Sequence, residues 1–238
     1  MGASAVVFAL LLDADPAERE HQQSLEKIVP DAMRHHVSLM YDTLVGLDTS
    51  LKLPLLDLSI PALRQLSASQ LETFKKAVDA LVASDGRLSL FEYALQLIVS
   101  SRLDNASHPA AGKVKFKSLE PLTDDAVVLI SKLAIEGHGS SADAENAFLS
   151  AIRQLPMLAD IPEGSAAPRM ENHSFERVGK ALVNFSAASP GVKKTILDAC
   201  AYCVLFDQTV TTREAELLRA VAYVLGLPVP PVLLPKKI

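Results

Sequence analysis

Four acidic side chains stand where chemistry is most easily imagined: Asp85, Glu92, Asp207 and Glu214. Asp85 and Glu92 frame the segment Asp85-Gly86-Arg87-Leu88-Ser89-Leu90-Phe91-Glu92. Asp207 and Glu214 frame Asp207-Gln208-Thr209-Val210-Thr211-Thr212-Arg213-Glu214. Carboxylates at repeated positions in two loops are the raw material of a hard-cation site, for Mg²⁺ or Ca²⁺. If the two hairpins pack about a pseudo-two-fold axis, the four would converge on one ion.

A competing role needs no ion. Ser89-x-x-Glu92 and Thr211-x-x-Glu214 are capping boxes, in which the hydroxyl accepts from the third helical N–H and the glutamate reaches back to the cap N–H. Leu88 and Val210 sit where a hydrophobic staple belongs. The EF-hand spacing is met only in part. Gly86 and Glu92 match its sixth and twelfth positions, but positions one and three fall on Leu81 and Ala83. In the second copy they fall on Cys203 and Leu205, and Gln208 replaces the glycine, so that turn must adopt another conformation or accept strain. Fixing loops and helix caps is therefore the preferred role for the four carboxylates, and no cofactor is expected, a divalent cation such as Mg²⁺ or Ca²⁺ being the weaker alternative.

Other candidates yield less. Cys200-Ala-Tyr-Cys203 has CxxC spacing, but it falls late in a predicted helix, whereas a redox thiol belongs at a helix N-terminus. No second ligand pair is spaced for zinc, so the pair reads as buried small hydrophobes. His35 and His36 are adjacent and point about 100° apart on a helix, too divergent to share a metal. His21, His108, His138 and His173 stand in polar contexts and are expected to be exposed. Lys113-Val-Lys-Phe-Lys117 reads as a solvated linker. The sequence holds no HExxH, GxSxG, Walker or GxGxxG string, so no catalytic residue is assigned.

The elements that carry these residues are helices. Apolar residues make up 49% of the 238-residue chain, enough for a sizeable core, and alanine and leucine dominate over β-branched and aromatic residues. The expected fold class is all-α, a multi-helix bundle of repeated helix–loop–helix hairpins. Helices are predicted over 16–28, capped by Asp15, and over 31–45, with Met33, Val37, Met40, Leu44 and Val45 on one side. Another is predicted over 54–66, kinked or divided at Pro61. Three hairpins follow, over 67–103, 123–155 and 189–225, with a further helix over 174–187. The first and third align at one constant offset: Ser67 with Ser189, Phe74 with Ile196, Asp85 with Asp207, Leu95 with Leu217. The middle hairpin echoes them through Ser140 and Asp143. Gly226 is the expected C-cap of the last helix. The division is read as an N-terminal helical segment over 1–66 and a domain over 67–238.

Charge and cysteine content narrow the partners. The net charge is −5 and no arginine-rich stripe occurs, so nucleic acid is not expected. Two cysteines are too few for a disulfide framework. The apolar start, Ala5 to Leu12, is far shorter than the roughly twenty residues of a membrane span, and no direct membrane insertion is expected.

Two resemblances extend this reading. The Asp85–Glu92 segment between alanine-rich helices, with its copy at Asp207–Glu214, resembles TerB-like domains, helical modules associated with tellurite resistance whose acidic loops are proposed to bind metal. Gln208 and the apolar loop positions depart from that pattern. A second likeness runs through Phe8-Ala-Leu-Leu-Leu-Asp-Ala-Asp-Pro16, the stretch Leu53 to Ser67, Asp85 to Leu95, Glu214 to Ala222 and Pro228 to Pro231. In that order they resemble the C-terminal region of HtpX-type membrane zinc metalloproteases. Their HExxH helix and zinc ligands are absent here, so no catalytic residue carries over, and the apolar start would be the stump of a membrane-embedded part. The resemblance implies a non-catalytic, cytoplasmic interaction or regulatory domain, tethered to the inner membrane through its protease. Its partner would be that protease module or its substrate. The alternative is a free-standing TerB-like module that binds a divalent cation in a stress response.

Overall fold

A computed structural model describes residues 2–12, 31–48, 51–83, 90–103, 114–159 and 168–228. Among them the chain forms ten α-helices, with an isolated parallel bridge between Phe116 and Ala188 as its one β-type pairing. The all-α expectation holds at that level. No helix among the described residues is long and apolar enough to cross a membrane. The predicted helix over 16–28, His21, the loop over 84–89, His108-Pro109, Lys113 and the tail beyond Pro228 lie outside the described residues.

The chain divides into two compact units, Met1–His108 and Pro109–Ile238. The boundary expected at 66/67 falls inside the first unit, between its third and fourth helices.

The first unit contains α1 (Gly2–Leu11), α2 (Asp31–Leu44), α3 (Lys52–Leu63), α4 (Ala68–Ala83) and α5 (Leu90–Leu103). Helix α1 packs on α2, α3 and α4. It is apolar on nearly every face and correspondingly buried on nearly every face: Ser4, Ala5, Val7, Phe8, Ala9, Leu10 and Leu11 are all inside. A helix apolar all round belongs in a core. The Phe8 ring meets Phe74 of α4 with centroids 5.2 Å apart and planes at 47°. Helix α2 shows the core Val37 and Tyr41, four residues apart, and leaves Val45 more than half exposed. The buried stripe is therefore narrower than the predicted face, and Tyr41, which the prediction omits, belongs to it. Pro61 neither divides α3 nor falls outside it; the helix runs through it and ends two residues later. Proline removes the N–H that would bond the carbonyl of Asp57, so the last turn is the cheapest place to hold it. Ser67 opens α4 with a reciprocal cap, its N–H donating to Gln70 Oε1 at 3.0 Å and its Oγ accepting from the Gln70 N–H at 3.3 Å.

The second unit contains a 3₁₀ turn at Glu120–Leu122, then α6 (Thr123–Gly137), α7 (Ser141–Ile152), α8 (Phe175–Ser186), α9 (Pro190–Val204) and α10 (Thr212–Leu225). Helix α6 is central and packs on all four of the others. Ser140, Ser174, Ser189 and Thr211 each cap the following helix by accepting from the N–H three residues on. Gly226 stops α10 at φ 68°, with its own N–H donating to the Tyr223 carbonyl and the Leu227 N–H to the Ala222 carbonyl, a Schellman ending. Lys193 of α9 donates to the Leu225 carbonyl at 2.8 Å. Part of the stretch read as a solvated linker is pinned: the Lys115 N–H donates to the Ala187 carbonyl and the Ser189 N–H to the Phe116 carbonyl.

Candidate functional site

The α9–α10 turn brings Cys203, Thr211 and Glu214 together with His138. Thr211 and Glu214 form the expected capping box. Thr211 Oγ1 accepts from the Glu214 N–H at 3.2 Å, and Glu214 Oε2 accepts from the Thr211 N–H at 2.7 Å. The same Oε2 also accepts the Thr211 hydroxyl at 2.7 Å. The other oxygen, Oε1, lies 3.3 Å from His138 Nδ1, and the opposite ring nitrogen, Nε2, lies 3.1 Å from the Cys203 carbonyl oxygen. One imidazole thus links the end of α6, the last turn of α9 and the first turn of α10. Its side chain is 5% exposed, which corrects the expectation of a solvated histidine. Gly137 makes the approach feasible, since a Cβ there would stand 3.3 Å from Glu214 Cγ.

The loop itself carries a strained residue. Gln208 sits at φ 63°, in the left-handed region that favours glycine. Of the two ways the sequence left open, the chain accepts strain, which runs to about 1–2 kcal/mol for a residue with a Cβ. Asp207 is exposed, and its Oδ1 accepts from the Thr209 N–H at 3.0 Å. That bond, reinforced by the Thr209 side chain and the nearby His138, holds the Asp207 carboxyl below its usual range.

Cys200 and Cys203 are both free and fully buried in α9. Burial pushes both thiols up, Cys203 to about 12, with the Glu214 charge adding to the effect there. Thiols held in the protonated form are poor nucleophiles and poor ligands, in keeping with their reading as small hydrophobes.

A second set of polar side chains lines α6. Asp125, 6% exposed, accepts from Arg177 and, at 2.8 Å, from Asn184 Nδ2, both on α8. Lys132 places its Nζ 3.4 Å from Glu136, 3.3 Å from Asn172 Oδ1 and 4.0 Å from the centroid of the Phe175 ring. Glu136 also accepts from Arg213 of α10 at 2.8 Å. Each polar group is met by a partner from another element or one turn away, as burial demands.

Of the four carboxylates singled out in the sequence, Asp85 lies outside the described residues. Glu92 stands in the first turn of α5, half-buried, in the first unit; Asp207 and Glu214 belong to the second. Glu214 is engaged through both of its oxygens. Among the described residues no group of three His, Cys, Asp or Glu side chains is placed to hold a metal ion. Sequence reasoning missed His138 and Glu136 as members of this site, because their partners Glu214, Cys203 and Arg213 lie dozens of residues further along the chain.

Beside this turn, the end of α9 and the two residues that follow it leave three apolar side chains in solvent. Tyr202 and Leu205 are each 51% exposed and Phe206 is 36% exposed. Tyr202 lies in the last turn of α9, Leu205 is its C-cap and Phe206 stands in the turn that follows, where the Phe206 ring is edge-on to His138 with centroids 6.4 Å apart. No family model, curated protein or solved structure matches the chain.

Proposed function

We propose that the chain is a non-catalytic helical interaction or regulatory domain of TerB-like build, acting on a protein partner. We further propose that it is the cytoplasmic C-terminal portion of a membrane zinc metalloprotease, with its own protease module or that module's substrate as the partner. The observation that carries the interaction reading is the exposure of three apolar side chains close together in the chain, Tyr202, Leu205 and Phe206, beside a turn fixed by the Glu214 cap and His138. Aromatic and aliphatic side chains grouped on a solvent-facing surface are the raw material of protein–protein contacts. In the same region His138, Glu214, Cys200 and Cys203 are engaged in packing and capping, which supports a role without chemistry. The attachment to a protease rests on the sequence resemblance alone.

Two measurements test this. Fractionation of native cells and immunoblotting with an antibody to this domain should give a membrane-bound band much larger than 25.5 kDa; a soluble band at that mass overturns the appended-domain reading. A photo-crosslinking residue at position 202 should give protein adducts in cells that the same probe at position 194, on the same helix, does not. Equal labelling at both, or none, overturns the interaction reading.

A further inference from the structure

We draw no further inference here: the strongest candidate, the set of exposed apolar side chains Tyr202, Leu205 and Phe206 on the last turn of α9 and the loop that follows, belongs to the site already described, and nothing in the structure shows what covers it.

Discussion

Helices α1 and α6 do the same job by different means. Each lies inside its unit, and each is buried on most of its faces. Helix α1 does so with apolar side chains and one buried serine, Ser4. Helix α6 carries Asp125, Ser131 and Lys132 into the interior along with Leu129, Ile130 and Leu133. An apolar helix is held by shape and area, which tolerate small rotations about its axis. A helix with buried charges has one acceptable setting, because any other leaves an ion or a hydrogen-bonding group without its partner. Helix α6 therefore carries orientational information in its buried polar side chains, and the unfolding of the second unit should be sensitive to single polar substitutions on that helix.

The largest effect should come from the apolar side. Phe8→Ala removes a fully buried ring packed on Phe74 and should cost about 3–5 kcal/mol, read as a lower urea midpoint of the first unit. If Phe8→Leu costs as much, the effect is not one of lost volume and the shape-held picture of α1 fails.

Next comes Glu214→Ala, which removes the cap and leaves His138 Nδ1 and the Thr211 N–H without their acceptor. Loss of a cap and an unpaired buried group together should cost about 2–4 kcal/mol. Glu214→Gln keeps an acceptor for the cap and should lose less than half as much. Equal losses for the two would mean that charge, and not the hydrogen-bonded cap, holds the turn.

Smaller still is the effect of Gln208→Gly. It relieves the left-handed strain at φ 63°, offset in part by the greater freedom of glycine in the unfolded chain, for a net gain of about 0.5 kcal/mol. A loss instead would show that the Gln208 side chain supplies a contact worth more than the strain.

The thiols give a pH-dependent reading of the same unit. Folding raises the Cys203 thiol from its free value of 9.0 to about 12. The folded state therefore holds a proton that the unfolded state releases, and stability falls as pH rises from about 9 towards 12. A thiol reagent at pH 8 should label the native chain far more slowly than the chain in denaturant. Equal rates would show that α9 opens readily.

Much of this architecture is legible in the residues. The three hairpin spans and the helix over 174–187 begin and end within a few residues of their predicted limits, because Ser140, Ser174, Ser189, Thr211 and Gly226 are local signals with local causes. The Thr211–Glu214 cap is legible for the same reason. What escaped prediction depends on tertiary approach. Nothing in the neighbourhood of His138 in sequence announces that it will be buried between Glu214 and the Cys203 carbonyl, which follow it by dozens of residues. Tyr41 was passed over because its polar tip masks an apolar body. The core position of α1 was half-visible: its lack of a polar face excludes a surface helix, but does not say which helices cover it. Ser67-x-x-Gln70 was a readable cap, since glutamine serves at its third position as well as glutamate.

The central claim is that the buried Glu214 carboxylate belongs to the fold and not to an ion. The direct test is thermal unfolding of the whole chain in chelator, in millimolar Mg²⁺ and in millimolar Ca²⁺. The account predicts one midpoint in all three, for the native chain and for Glu214→Gln each at its own value. A midpoint that rises with either cation in the native chain, and stops rising in Glu214→Gln, would contradict it and make Glu214 a ligand.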